Sequence, residues 1–278
     1  MIERTRHVKR MILGVLGIAA LVGAIAWTSL DPANGRQWIA EQRLLPHATI
    51  DGDDVRVRNV RNFRWGPGHA SRPMWESRSY RLSRLRTVSY VLTPFSADWR
   101  GPAHAFVSFG FDDGEHVAIS VEARREVGET YSVARGLLKR FELMYVVGDE
   151  RDLIDRRVQD GVDVYVYPIR ASELQARAIF IEMLQRANTL RERPEFYGSF
   201  LNNCTTNLLA HVNRVASRRI RYGGKIFLPG YSDRLAYDRG LLDTTLSLDA
   251  ARARFRVNER AAQWARSTDY SLRIRAPQ

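Results

Sequence analysis

Strands come first in this chain and helices after, an order that predicts an α+β fold built on an antiparallel sheet. Three observations carry that prediction. Residues 48–63 and 103–123 alternate apolar and polar positions around Asp/Gly turns, as hairpins do. The runs "ELMYVVG" (142–148) and "VDVYVYPI" (162–169) have the length of buried strands. From Ser172 the apolar spacing changes to the helical period.

Taken in order, residues 31–47 form a polar connector with a short helix expected over 36–44. The first hairpin turns at Asp51-Gly52-Asp53-Asp54 into the alternating "VRVRNV", and Gly66-Pro67-Gly68 marks a loop. Residues 80–92 carry strand-spaced apolar side chains, and 131–141 a short helix. Ser172 and Gln175 make a capping box, with Phe180, Leu184 and Ala187 at helical spacing behind it. A helix is expected from Asn202/Asn203, which are good N-caps, through Leu208, Leu209, Val212 and Val215. Gly223-Gly224 and Pro229-Gly230 punctuate a loop before a helix over 233–242, and a charged helix over 248–266 precedes a frayed end.

The chain has 278 residues, 45% hydrophobic and 27% charged, which is globular composition with room for one or two domains. Its net charge is +12, and 40 of its 43 basic residues are arginines spread evenly along it. No basic run is interleaved with aromatics, so no nucleic-acid face is indicated, and an anionic membrane surface is the better partner. Residues 1–10 carry a net charge of +3, and residues 11–30, "MILGVLGIAALVGAIAWTSL", carry none. At ~1.5 Å rise per residue such a run can cross a ~30 Å hydrocarbon core. The basic flank would stay cytoplasmic, which predicts a single-pass anchor in the bacterial inner membrane with the domain outside. Cleavage as a signal peptide at Ala24-Ile25-Ala26 is the alternative, and either route exports the domain.

Export makes the single cysteine notable. Cys204 cannot form an internal bridge, so it is a buried small residue, an intermolecular link or a working thiol. It falls in the first turn of its predicted helix. There the unpaired N–H groups and the helix dipole stabilise a thiolate. A space-filling cysteine belongs instead on the Leu208/Val212 stripe.

A nucleophilic thiol needs a base. Of six histidines, His7, His47 and His69 lie in flank, connector and loop; His211 is two turns along the same helix, ~10 Å of rise away. His104 and His116 remain, both in "AHAFVSFGFDDGEHVAISVEARRE". Matching faces across a three-residue Asp112-Asp113-Gly114 loop pairs Phe109 with Val117, Val107 with Ile119, Ala105 with Val121, and His104 with Glu122. A carboxylate opposite an imidazole can hold its tautomer, and Cys204–His104–Glu122 follows the order nucleophile, base, orienter. An ordinary cross-strand ion pair is the alternative for His104 and Glu122. His116 sits near the turn, a surface position. Tyr197, Asn202 and Asn203 are candidate oxyanion donors. Arg124, on the face of Glu122, is a candidate for an anionic headgroup or else a solvated surface side chain. There is no HExxH, cysteine pair, EF-hand loop or phosphate-cradling glycine loop, so no metal or cofactor is expected.

The stretches "VRVRNVRNFRW", "HAFVSFGFDDGEHVAISVEARREVGETYS", "YVVGDERDLI", "FYGSFLNNCTTN" and "LPGYSDRLAYDRGLLD" together resemble the Lnb N-terminal periplasmic domain family, over roughly residues 51–242. That family is similar to a circularly permuted branch of papain-like, NlpC-type amidases and lecithin:retinol acyltransferases. The resemblance implies a permuted papain-like fold in which the histidine strand precedes the cysteine helix, with Cys204 as nucleophile, His104 as base and Glu122 as third member. A second histidine twelve residues after the first occurs in the acyltransferase-like relatives, which makes His116 a rival orienter. The resemblance also implies lipoprotein N-acylation, although this chain lacks any large appended domain. The expected layout is a cytoplasmic flank (1–10), a transmembrane anchor or signal segment (11–30), a connector (31–47), a periplasmic catalytic domain (48–245) and a C-terminal helix and tail (246–278). The expected activity is a cysteine-dependent acyltransferase or hydrolase acting through a thioester on a phospholipid or lipoprotein. The alternatives are a peptidoglycan amidase or peptidase, and a non-catalytic envelope-binding module.

Overall fold

The computed structural model describes residues 13–18, 21, 27–66, 69–96, 101–216, 218–221, 223 and 228–276. The chain divides into two compact units, Met1–Ala33 and Asn34–Gln278. In the first, residues 13–18, 21, 27 and 28 are helical. Among the described residues no helix is long and apolar enough to cross a membrane. Much of the span expected over 11–30 lies outside the described residues.

The second unit is mixed α and β with a mostly antiparallel sheet. Its strands are β1 (His47–Asp51), β2 (Asp54–Arg61), β3 (Arg64–Gly66), β4 (His69–Arg72), β5 (Trp75–Arg81), β6 (Leu85–Pro94), β7 (Ala103–Phe111), β8 (His116–Arg124), β9 (Glu142–Asp149) and β10 (Tyr165–Pro168). The main sheet runs β1-β2-β9-β8-β7-β6-β10, with β5 also on β2; β3 and β4 pair by themselves. Among the described strand pairs, only that of β2 with β9 is parallel. Its helices are α1 (Val133–Leu137), α2 (Glu150–Gln159), α3 (Glu173–Glu192), α4 (Cys204–Val215), α5 (Ser232–Asp238), α6 (Leu248–Phe255), α7 (Asn258–Gln263) and α8 (Tyr270–Arg273).

Period-2 alternation in β7–β9 sends successive side chains into two cores. Val107, Phe109, Ile119, Val121 and Tyr145 pack with Phe180 and Met183 of α3 and with Leu208 of α4. Phe106, Ala118, Met144 and Val146 pack with Leu153 and Ile154 of α2 and with Val257, Tyr270 and Ile274 near the C-terminus. The sheet is therefore covered on both faces. The capping box of Ser172 and Gln175 opens α3 as expected.

Several expectations need correction. Residues 80–92 are not one strand, because a 3₁₀ turn at Leu82–Arg84 separates β5 from β6. The helix over 36–44 shrinks to a 3₁₀ turn, Ala40–Gln42. Helix α2 was not anticipated. Its inward face carries Glu150, Asp152 and Asp155 beside Leu153 and Ile154, so its burial leaves little apolar periodicity in the sequence. The helix over 248–266 is two, because the chain pairs with β10 between them: Arg256 bridges Tyr165, and the Val257 amide donates to the Val164 carbonyl. The end is not frayed. Tyr270 and Ile274 are buried, and the Arg275 guanidinium bonds Glu150. Residues 34–47 of the connector and residues 246–278 thus belong to the same unit as residues 48–245.

Asp152 shows what fastens α2. Its carboxylate accepts from Arg61 Nε (3.0 Å) and Nη2 (3.1 Å), the Phe63 amide (2.8 Å) and Trp65 Nε1 (2.7 Å), away from solvent. Removing one member of such a buried pair strands the other, at a cost of ~3–5 kcal/mol. Asp152→Ala should lose about that much in denaturant unfolding, whereas Asp54→Ala on the exposed hairpin turn should lose little.

Candidate active site

The segment before α4 is a built turn. The Tyr197 amide donates to the Phe141 carbonyl, and Gly198 and Asn202 exchange both backbone hydrogen bonds at 3.0 Å. Asn203 caps the helix: its Oδ1 accepts from the Thr206 amide (2.9 Å), and its own amide donates to Thr206 Oγ1 (2.9 Å). Asn203 Nδ2 reaches the Ser199 carbonyl (2.6 Å). Asn202 Nδ2 reaches the Phe196 carbonyl (2.9 Å) and its Oδ1 accepts from Asn207 Nδ2 (2.9 Å). Both asparagine amides, expected as oxyanion donors, are committed to holding this turn. Cys204 is the first residue of the helix and is buried.

The hairpin of β7 and β8 has the register the alternation predicts, from Gly110 opposite His116 to Phe106 opposite Ser120. The ladder stops there, before the expected Ala105/Val121 and His104/Glu122 pairs. Beyond that point the sulfur of Cys204 lies 3.8 Å from Thr205 Oγ1, and the His104 imidazole and Ala105 amide are near enough to draw its pKa down. Ala105 belongs to the core shared with α4 and Phe106 to the other, so the site lies where the two cores meet.

Behind the imidazole stands a relay. His104 Nε2 lies 2.7 Å from Ser120 Oγ and 3.3 Å from Glu122 Oε1. The Ser120 hydroxyl donates to Glu122 Oε1 at 2.8 Å, so it accepts from Nε2–H. Nε2 therefore carries a proton, and Nδ1 is the ring nitrogen that this relay does not use. Arg157, from α2, donates to the same Glu122 oxygen at 2.9 Å. Ser120 and Arg157 were not anticipated. Ser120 shares the predicted polar face of β8, but the contact from α2 had no signal in the sequence.

The charges follow from this arrangement. Burial by itself pushes His104 down, but the Glu122 carboxylate and the thiol outweigh it and raise the imidazole from 6.5 to about 9. Burial pushes the Cys204 thiol up, and the hydrogen bond and charge of His104 with the Ala105 amide bring it below its ordinary value. Burial likewise opposes ionisation of Glu122, yet His104 and Arg157 hold it well below the carboxylate range. The two shifts run toward each other: the imidazole holds its proton more firmly, and the thiol ionises more easily, than either would alone. Tyr197 and Tyr131, with hydroxyls 3.5 Å apart, and Tyr90 feel the sulfur's charge; burial first, then that charge, raises Tyr197 far above 10.0. Tyr90 and Tyr131 had no motif to mark them.

Two expected residues go elsewhere. His116 covers Gly110, where a Cβ would come within 2.7 Å of its Nε2, and its Nδ1 bonds the Gly114 carbonyl (2.9 Å). It lies four strand residues from Ser120, about 13 Å away, so it does not orient His104. Arg124 is 2% exposed. Its guanidinium donates to the carbonyls of Gln42 (3.0 Å) and Arg43 (2.8 Å) and to Asn34 Oδ1 (3.0 Å), and it stacks 4.1 Å from the Trp38 ring. It fastens the connector and has no surface left for a headgroup. Beside the thiol, Thr205, Tyr90 and Val107 begin a cavity of about 540 Å³ that continues past Leu208, Leu209 and Val212. Cys204 is outside its lining, which includes Tyr90 and Ser232, hydrogen-bonded at 2.6 Å. Among the described residues, no cluster of side chains could hold a metal ion.

A family model described as the Lnb N-terminal periplasmic domain matches residues 71–229, more than half the chain. No curated protein and no solved structure gives a significant match.

Alkylation by iodoacetamide should proceed at pH values below the ordinary thiol range, and His104→Ala should move its profile to ~8.5 or above. An unmoved profile would show that the two groups are not coupled. Glu122→Gln should lower the imidazole value and raise that of the thiol. By linkage, the stabilisation from His104 is complete below 6.5 and lost as pH rises through about 9, while that from Glu122 is present above 4.5 and lost as pH falls. Arg124→Leu should cost roughly 2–3 kcal/mol through stranded acceptors and leave the alkylation rate unchanged.

Proposed function

The chain belongs to the Lnb N-terminal periplasmic domain family, and from that premise we propose that its periplasmic body is a cysteine-dependent acyltransferase or hydrolase acting on a lipid or lipoprotein. One observation carries the reading: a buried thiol at a helix start, its pKa drawn down by His104, with Ser120, Glu122 and Arg157 ranked behind the ring. The fold proposed for it is the permuted papain-like one, with the histidine strand ahead of the cysteine helix. Residues 11–30 are proposed as the inner-membrane anchor. The walls of the neighbouring cavity suit an apolar acyl group.

The chemistry runs in two halves. The Cys204 thiolate attacks an ester carbonyl carbon. The Cys204 amide, free in the first turn of α4, and the Tyr197 hydroxyl are the donors proposed for the oxyanion. As the tetrahedral intermediate collapses, the carbon–oxygen bond breaks and the leaving alkoxide takes the proton from His104, which leaves a thioester. An amine or water then attacks the thioester. His104 accepts its proton, and the thiolate departs with the electron pair of the carbon–sulfur bond. Glu122 stays ionised throughout and balances the imidazolium at the start and end.

Full-length protein incubated with bilayer phospholipid should gain an acyl mass on Cys204 that hydroxylamine removes. His104→Ala should slow its formation by ~10²–10⁴, and Cys204→Ala should abolish it. Release of stem peptides from murein without acylation would move the assignment to an amidase. Unimpaired cellular function in Cys204→Ala would leave only a binding module.

A further inference from the structure

Large exposed apolar side chains gather beside the thiol. Leu201 is 80% exposed and Leu138 is 55% exposed, with Phe200, Val133 and Leu137 also open to solvent. They sit on two segments that are joined. Ser199 Oγ donates to the Val133 carbonyl at 2.8 Å, and Gly136, the inward residue of α1, packs so closely on Ser199 that a Cβ would clash. Val133 and Leu137, one turn apart on α1, are both open to solvent beside that contact. The 197–203 turn leads directly into Cys204. Tyr131, just ahead of α1, stacks edge-on with Tyr197 and with the half-exposed Phe95, and its hydroxyl feels the sulfur. The apolar group thus borders the approach to the site.

Its charge is one-sided. Residues 130–140, "TYSVARGLLKR", carry Arg135, Lys139 and Arg140 and no acid. Apolar side chains interleaved with cations match the two requirements of an anionic bilayer surface, an apolar face for the acyl boundary and positive charge for the headgroups. An exposed apolar patch of this kind marks an interaction surface.

We propose that α1 and residues 199–201 form a lipid-facing surface that seats the mouth of the Cys204 site on an anionic membrane. An acyl chain would then pass from bilayer to thiol without crossing water. The surface deepens the proposed lipid chemistry and rests on it for its purpose, but its test reads contact and not turnover, so the two can fail separately.

The test uses the full chain in nanodiscs of phosphatidylcholine and phosphatidylglycerol doped with a diazirine-bearing phosphatidylglycerol. After illumination, adducts should map to peptides containing 133–138 and 199–201. The peptide containing Leu174, 75% exposed at the start of α3, should carry none. Leu138→Glu with Leu201→Glu should reduce the body adducts by about tenfold or more while circular dichroism and Cys204 alkylation stay as in the parent. Adducts confined to residues 1–33, equal labelling at Leu174, or copies of the chain cross-linked through α1 in place of lipid would each overturn the assignment. Failure here with intact Cys204 acylation would leave the proposed chemistry standing.

Discussion

A line of charges held out of water beside a buried thiol is the constraint around which this body is arranged. A buried charge is tolerated only when it is paired and hydrogen-bonded. Cys204, at the start of α4, has its pKa drawn down by the neighbouring His104 and Ala105. The imidazolium in turn needs an anion, and Glu122 needs Arg157. Each charge in the line is stabilised by the next. The line ends on a guanidinium that is only partly buried, where solvent takes up the remainder.

The rest of the fold can be understood as holding the ends of that line in place. β7 presents His104 because its ladder with β8 stops at Phe106, which leaves the Ala105 amide near enough to draw the thiol's pKa down. α2 presents Arg157 because Asp152, Glu150 and Asp155 pin its inner face to Arg61, Arg275 and Tyr270. α4 presents Cys204 because Asn202 and Asn203 commit their amides to the preceding turn. The C-terminal residues thereby contribute to the site at one remove. Arg275 and Tyr270 hold α2, and α2 holds Glu122.

Local rules were legible wherever burial is apolar. The two hairpins, the register of β7 on β8, the capping box of α3 and the start of α4 all follow from alternation, turn chemistry and caps. The legibility failed where polar groups are buried. α2 hides acids on its inner face, and Arg124 looks like a surface cation by composition although it is enclosed by the carbonyls of the connector. The break at Arg256-Val257 comes from pairing with β10, which no local pattern announces.

Cys204, His104 and Glu122 could be nominated from the sequence alone, because a lone thiol at a helix start and a histidine facing a carboxylate across a strand pair are local facts. What tertiary structure decided was the company they keep. Ser120 stands between the imidazole and the carboxylate, Arg157 arrives from α2, three tyrosines come within reach of the sulfur's charge, and His116 and Arg124 are assigned to structural work. Hydrogen bonding is short-ranged and directional, so which distant polar group completes such a network depends on ångström-scale placement that only the packed chain sets.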